Sequence, residues 1–143
     1  MTAPGGDLLA WLGNAISVRE AAATAAVDEY GADWYYDDGF VLARREDDMV
    51  ATGSQDFLEP SQGRHIAAND PASVLRRCAG DRKLLKLHNT PGVVFPDGAY
   101  LDDNRWCVGC GYGNDGEPLT SDVNECPTLR AIAEGYGWTE GER

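Results

Sequence analysis

The stretch Trp106-Cys107-Val108-Gly109-Cys110-Gly111-Tyr112-Gly113 decides how the C-terminal half of this chain folds. Its two cysteines have the Cys-x-x-Cys spacing, which lets two thiolates bind one metal ion if the backbone turns tightly between them. Glycine at 109, 111 or 113 permits such a turn and lets backbone N–H groups approach the sulfurs. The stretch therefore predicts a metal-binding knuckle.

A third cysteine, Cys126, lies directly before Pro127, and proline is typical of the first position of a helix. A thiol at a helix N-terminus meets the positive end of the helix dipole, which favours the thiolate that a metal requires. Cys107, Cys110 and Cys126 therefore form one coherent set. A redox pair is the alternative, but a thioredoxin-like motif opens a helix within a βαβ pattern, and glycines follow this one.

His88 is predicted to be the fourth ligand because it ends a helix and has 18 residues between it and the first cysteine of the knuckle. That order of ligands is similar to the Cys3His pattern of structural zinc sites. His65, Cys78 or an acidic residue are the alternatives, and about 15 Å of helix prevents Cys78 and His88 from binding one ion together. The predicted cofactor is one structural Zn²⁺ with four protein ligands: Cys107, Cys110, Cys126 and His88.

Sequence motifs of known catalytic sites are missing from the chain. It contains neither the His-x-Glu and Pro-Cys-x-x-Cys pair of zinc deaminases nor a Gly-x-Ser-x-Gly turn or phosphate-binding glycine loop. Glu125, Asp102 and Asp103 lie near the cysteines in sequence, but isolated acids are common on acidic surfaces. We predict that Asp70 caps a helix rather than serving a nuclease, and that the chain is not an enzyme. A metal-dependent hydrolase is an alternative, and it would need an open coordination position.

The remaining sequence predicts helices and a small sheet. Asp7 can cap a helix running to about Tyr30, with apolar and alanine residues at helical spacing. Aromatic and β-branched runs around Asp37-Asp38-Gly39 predict a hairpin, Met49–Thr52 can add a third strand, and the first helix is the expected cover of this sheet. Further along we predict a loop, a helical turn, a helix, a strand and a last helix: residues 53–61, 65–68, 71–88, 93–95 and 128–136.

These elements predict an α+β fold with a long N-terminal helix, a small antiparallel sheet, a central helix and a C-terminal zinc knuckle followed by a short helix. At 143 residues, the chain is predicted to be a single domain. A helix–meander–helix core would occupy residues 7–90, and a zinc-stabilised subregion would occupy residues 91–138.

Composition limits the classes of function. The net charge is −12, from 24 acidic and 12 basic residues, and this charge repels nucleic-acid phosphates. The sequence has no run of about 20 apolar residues that could span a membrane. Its first residues, Met1–Asp7, also lack the basic patch and apolar run of a signal peptide. We therefore expect a cytoplasmic protein whose four cysteines remain reduced.

Several motifs together resemble an uncharacterised family of actinobacteria and their phages, known only as a domain of unknown function. The motifs are His65-Ile66-Ala67-Ala68-Asn69-Asp70-Pro71, Val74-Leu75-Arg76, Leu84 to His88, and Cys126-Pro127-Thr128-Leu129-Arg130. The resemblance covers most of the chain. It implies a phage or actinobacterial accessory protein, located in the host cytoplasm if phage-encoded, and implies no activity.

The predicted function is therefore protein–protein interaction, with a host factor as the partner in the phage case. Exposed aromatic residues could supply the anchors of such an interface: Trp34, Tyr35, Trp106, Tyr112 and Trp138. One alternative is a nucleic-acid-related protein, either an acidic DNA mimic or a DNA binder that uses the basic residues of the central helix. Those residues are Arg76, Arg77, Arg82, Lys83 and Lys86.

Overall fold

The structure of the protein is a computed structural model that describes residues 7–27, 31–91 and 105–140. Within these ranges the helices and strands are, in chain order, α1 (Leu8–Ala26), β1 (Trp34–Asp37), β2 (Phe40–Ala43), β3 (Asp48–Ala51), α2 (Pro60–Ala68), α3 (Pro71–Leu87) and α4 (Pro127–Gly135). The predicted α+β class is confirmed, with its long first helix, antiparallel sheet and short last helix. The predicted strand Val93–Phe95 lies outside the described residues.

The chain forms two compact units. The cysteine unit contains Met1–Ile16 and Gly80–Arg143, and the sheet unit contains Ser17–Ala79. Helices α1 and α3 each contribute residues to both units. The single domain expected from the sequence stays a prediction. None of the described helices is long and apolar enough to cross a membrane.

In the sheet unit, three short strands form an antiparallel meander in the order β1-β2-β3. Asp38 and Gly39 connect the first two strands, and both have positive φ, at 39° and 95°. Two such residues in a row are typical of the tight turn whose twist matches paired strands, so the predicted hairpin at Asp-Gly is present. Strand β2 buries Val41 and Ala43 completely, and these two side chains face the core of the sheet unit.

Helix α2 packs on this sheet more extensively than α1, the helix that the sequence predicted as its cover. It begins at Pro60, within the segment 53–61 that was predicted to be a loop, because proline suits the first helical position. Gly63 then lies directly against the Tyr36 ring, where any side chain would collide. The absence of a Cβ at this one position lets α2 approach β1 closely.

Asp70 links α3 to the sheet. Its Oδ1 accepts a hydrogen bond from the Ser73 backbone N–H at 2.8 Å, which caps the helix as predicted. Its Oδ2 accepts from the Trp34 backbone N–H at 2.9 Å. Both oxygens of this buried carboxylate are therefore satisfied by backbone donors, and the start of β1 is fastened to the start of α3.

In the cysteine unit, the first turns of α1 pack against the C-terminal region. Asp7 caps α1 through the Ala10 backbone N–H, and the Leu8 backbone N–H donates to Asn124 Oδ1 at 2.9 Å. The buried cluster of this unit contains aliphatic side chains from α1, from α4 and from the 3₁₀ turn Val123–Glu125, together with two cysteines: Leu8, Leu12, Val123, Leu129, Ala133, Cys107 and Cys126. Cys107 and Cys126 are thus part of the core in which α1 packs against α4.

Candidate metal centre

Three sulfurs and one imidazole nitrogen meet in the cysteine unit. The structure brings together the four residues predicted from the sequence, with ligand atoms that all lie within 4.8 Å of one another: Cys107, Cys110, Cys126 and His88. That these residues bind a metal stays a prediction. Their convergence from three separate parts of the chain is a feature of the fold.

The distances in the cluster fit a tetrahedron around one ion. Cys126 Sγ lies 3.6 Å from both Cys107 Sγ and Cys110 Sγ. His88 Nδ1 lies 3.3 Å, 3.4 Å and 3.8 Å from the sulfurs of Cys107, Cys126 and Cys110. With metal–sulfur bonds of about 2.3 Å and a metal–nitrogen bond of about 2.0 Å, tetrahedral edges would be about 3.8 Å and 3.5 Å. The cluster therefore has the size of a four-coordinate metal site.

The same distances exclude disulfides, whose sulfurs are about 2.05 Å apart. None of the four cysteines, all of which lie in the described ranges, forms a disulfide. The redox-pair alternative stays open, because the reduced form of such a pair is also two thiols.

Secondary structure places each candidate ligand. His88 follows the end of α3, and its backbone N–H still donates to the Leu84 carbonyl at 2.9 Å as part of the last helical turn. Cys107 directly precedes a short 3₁₀ turn, Val108–Cys110, and Cys110 is the last residue of that turn. Cys126 is the N-cap residue of α4, and its carbonyl accepts the first helical hydrogen bond, from Arg130, at 3.0 Å. Helix ends thus hold two candidate ligands, and a tight turn holds the others.

The knuckle lies against the end of α3 because Gly109 has no side chain. A Cβ at this position would lie 2.5 Å from the Leu87 carbonyl oxygen and 2.8 Å from His88 Nδ1. The adjacent Val108 backbone N–H donates to the Asn89 carbonyl at 2.9 Å. Of the three glycines that the sequence offered for the turn, 109, 111 and 113, Gly111 is the one with a positive φ, at 75°. Gly109 instead provides the space in which the histidine and the cysteines meet.

Thr120 supports both knuckle cysteines and was not identified from the sequence. Its backbone carbonyl accepts from the Cys107 N–H at 2.9 Å, and its side chain acts to lower the pKa of the Cys110 thiol. Groups that hold ligands in this way orient them and tune a metal site. An isolated threonine in a polar segment carries no sequence signal of this role.

The pKa values of the two knuckle cysteines are shifted in opposite directions. Burial, with hydrogen bonds to the other two thiols, raises the pKa of Cys107 to about 12, against a backbone hydrogen bond from Cys110 that lowers it. Burial also acts to raise the pKa of Cys110, but hydrogen bonds with Thr120, Cys107 and Cys126 outweigh it and lower that pKa. A divalent cation beside such thiols supplies the positive charge that favours the thiolates.

The other residues singled out from the sequence do not join the cluster. Among the described residues, the group of metal-ligand atoms includes neither His65, which is exposed on α2, nor Cys78, which is buried on α3. Glu125 instead pairs with Arg130, whose Nη2 lies 2.6 Å from its carboxylate. Asp102 and Asp103 lie outside the described residues. The structure therefore favours His88 among the proposed fourth ligands.

Comparison with known proteins gives one match. Residues 5–137 match a family described as "Family of unknown function (DUF6221)". The chain belongs to this family. Since the match covers nearly the whole chain, the expected membership of an uncharacterised family is confirmed. No curated protein and no solved structure matches the chain.

Proposed function

We propose that the four clustered residues bind one structural Zn²⁺. The observation that supports this is the set of sulfur–sulfur and sulfur–nitrogen distances, 3.3 to 3.8 Å, around a common centre. Three thiolates and one imidazole in a tetrahedron are the preferred ligands of zinc in proteins. The His88 imidazole would bind through Nδ1, since that nitrogen faces the sulfurs.

The geometry favours a structural role for the ion over a catalytic one. A catalytic zinc keeps one position open for water or substrate, whereas four protein ligands complete the tetrahedron. Cys107 and Cys126 are fully buried and pack with Leu12 and Leu129 in the core of the cysteine unit. An ion at this place would tie the end of α3, the knuckle and the start of α4 together.

The function of the zinc-stabilised unit is, we propose, to bind a protein partner. Apolar side chains of the knuckle and of the segment that follows it remain in solvent: Val108 is 46% exposed, Tyr112 is 58% exposed and Leu119 is 66% exposed. The Tyr112 ring also lies 5.1 Å from the Trp106 ring, centroid to centroid. Exposed apolar groups held on a rigid support are typical of interaction sites. Of the aromatic anchors proposed from the sequence, Tyr112 fits this surface best.

An actinobacterial or phage origin, and a host protein as partner in the phage case, belong to the same proposal. Ten of the twelve basic residues are arginine, a bias that GC-rich genomes produce. A reducing cytoplasm is the location that we propose, because zinc requires the thiolates of Cys107, Cys110 and Cys126, and oxidising compartments convert close thiols into disulfides. The genes that flank the coding sequence in its genome would show whether it lies in a prophage.

Metal analysis tests the zinc site directly. We expect one zinc per purified chain, and a cobalt-substituted protein should show the visible absorption of tetrahedral cobalt with thiolate charge-transfer bands. His88→Ala should lower the zinc content or the affinity by at least about tenfold, while His65→Ala at the exposed second histidine should not change it. Protein without stoichiometric metal, or equal effects of the two variants, would contradict the proposal.

A second experiment tests the partner-binding surface while the metal stays in place. Leu119→Asp should abolish capture of a partner from a lysate of the host, with zinc content unchanged, since this side chain is 66% exposed. Val18→Asp, at an equally exposed site in α1, is the matched control and should retain the partner. If both variants capture the same proteins as the native chain, the knuckle surface is not the interface.

A further inference from the structure

A groove in the sheet unit has the size and lining of a small-molecule site and is independent of the cysteines. Its volume is about 400 Å³, within the range of roughly 300–1,000 Å³ that is usual for ligand pockets. Ala22 and Ala23 of α1, Trp34 at the start of β1, and Val74 in the first turn of α3 form its apolar walls. The small alanine side chains leave the Trp34 ring accessible beside them.

The polar groups of this groove are cationic or neutral. Arg19 and Arg77 line it together with Asn69, and none of the described residues that line it is acidic. This is unusual in a chain with 24 acidic and 12 basic residues. In the part of the chain that the structure describes, the Arg77 guanidinium donates only to Asn69 Oδ1, at 2.8 Å, and has no carboxylate partner.

Hydrogen bonds fix the walls of the groove without any ligand. Asp70, next to Asn69, holds the Trp34 backbone N–H at 2.9 Å and the Ser73 backbone N–H at 2.8 Å. The Trp34 indole N–H donates to the Gly31 carbonyl at 3.2 Å, which sets the plane of the ring. Binding to walls that are already in place costs less conformational entropy than binding that must order them.

We propose that this groove binds a small aromatic anion, with a carboxylate or phosphate between Arg19 and Arg77 and the ring against Trp34. A guanidinium binds the oxygens of either group through paired N–H donors. The planar apolar part of the ligand lies on the indole and the alanines, which excludes water from the arginine contacts. A purely apolar ligand would gain nothing from the charge of the Arg77 guanidinium, and the two arginines would repel a metal ion or another cation.

Titration of the full-length, isotope-labelled protein tests the proposal with three probes of similar shape. Phenylacetate and phenyl phosphate should produce saturable shifts of the Trp34 indole N–H and the Arg77 side-chain N–H signals, with Kd about millimolar for ligands of this size. The neutral 2-phenylethanol should bind at least about tenfold more weakly. The comparison of the two anions shows whether the groove prefers carboxylate or phosphate.

Two arginine variants on neighbouring positions of α3 complete the test. Arg77→Gln should weaken binding of the anions about tenfold or more. Arg76→Gln is the control, because Arg76 is exposed, donates to Ser73 Oγ and is not among the residues that line the groove. If Arg77→Gln disturbs the fold, Arg19→Gln on α1 provides the same comparison. No saturable shift with either anion, or equal binding of the neutral alcohol, would overturn the proposal.

Discussion

Gly109 separates two candidate metal ligands and lies where the chain has no room for a side chain. The obstacles to a Cβ are the Leu87 backbone carbonyl and the His88 ring, and a backbone carbonyl cannot rotate away as a flexible side chain can. We predict that Gly109→Ala displaces His88 and lowers zinc affinity by about 10–100-fold. It should also lower the free energy of unfolding by about 1–3 kcal/mol. Competition with a chromophoric zinc chelator measures the first effect, and urea denaturation measures the second.

Gly80→Ala is the matched control for this change. Gly80 is exposed within α3, and a Cβ there would have no neighbour within 4 Å. Alanine is the better helix former by about 1 kcal/mol, so this variant should be more stable than the native chain and bind zinc equally well. If the two alanine variants have similar zinc affinities, the close approach at Gly109 does not matter for the site.

Asp70 should make the stability of the sheet unit fall at acidic pH. Burial acts to raise its pKa, but hydrogen bonds from Trp34 and Ser73 outweigh burial and lower the pKa below its ordinary value. A depressed carboxyl pKa adds stability that is present above the unfolded-state pKa of about 3.9 and is lost as pH falls through the folded-state pKa. Asp70→Asn cannot accept both hydrogen bonds and should cost about 1–3 kcal/mol at pH 7.

The difference in stability between native protein and Asp70→Asn should therefore stay constant above about pH 5 and shrink below about pH 4. Taking the difference removes the acid dependence of metal binding, which both proteins share. Asp7→Asn is the control, because Asp7 is an exposed N-cap at which asparagine serves equally well. A difference that does not change with pH would mean that the Asp70 carboxylate charge contributes nothing.

The candidate ligands could be predicted from the sequence, but their supporting residues could not. Cys-x-x-Cys and Cys-Pro are local patterns, and His88 was accessible to prediction because it ends a helix before the knuckle. Gly109 and Thr120 act through contacts with the end of α3 and with the two knuckle cysteines, and these contacts exist only after the chain has folded. Spacing therefore identifies what can bind a metal, whereas packing decides how the ligands are oriented.

The stability of helix α4 should depend on the bound metal more than the stability of any strand does. Its N-cap residue, Cys126, is a candidate ligand, and the α4 residues Leu129 and Ala133 pack with the two buried cysteines. A structural zinc can contribute about 10–16 kcal/mol, comparable with the whole stability of a domain, about 5–15 kcal/mol. Chelation should therefore remove hydrogen-exchange protection from amides 105–138.

Amides of β1 and β2 are the internal reference for this experiment. Both strands belong to the sheet unit, which contains none of the four candidate ligands, so their protection should fall much less. Adding zinc back should restore the protection of α4. The prediction is wrong if chelation affects both groups of amides equally or affects neither.

Helix α2 shows where sequence periodicity was insufficient. Residues 60–68 contain few apolar side chains, so their pattern predicted only a short helical turn from His65 onward. In the structure the helix begins at Pro60. The contact that stabilises it against the sheet, Gly63 on the Tyr36 ring, involves a glycine, the least informative residue for an apolar pattern. The strands and α3 were predicted more closely because Asp-Gly and Asp-Pro are local signals.

The charge of the whole molecule should make its stability depend on salt. A net charge of −12 on 143 residues produces mutual repulsion in the folded state. Salt shortens the range of this repulsion from about 30 Å at 0.01 M to about 3 Å at 1 M. We expect the Tm of the zinc-loaded protein to rise by about 2–4 °C between 0.01 and 0.5 M NaCl.

Sodium and potassium chloride should act alike, because screening depends on ionic strength and not on the identity of the ion. The surface ion pairs act in the opposite direction, since salt weakens pairs such as Arg44–Asp33, in which both side chains are more than half exposed. A Tm that falls with salt would show that these pairs outweigh the general repulsion.

The two parts of the cysteine unit are made at very different times on the ribosome. Leu8 and Leu12 emerge first, but their packing partners Leu129 and Ala133 are translated more than a hundred residues later. At translation rates of about 5–20 residues per second, the apolar face of α1 lacks these partners for about 6–24 s. Ser17–Ala79, by contrast, is complete well before Cys126 is added. The four candidate zinc ligands are thus complete only after Cys126 has been added, and until then a nascent-chain chaperone can bind the apolar face of α1.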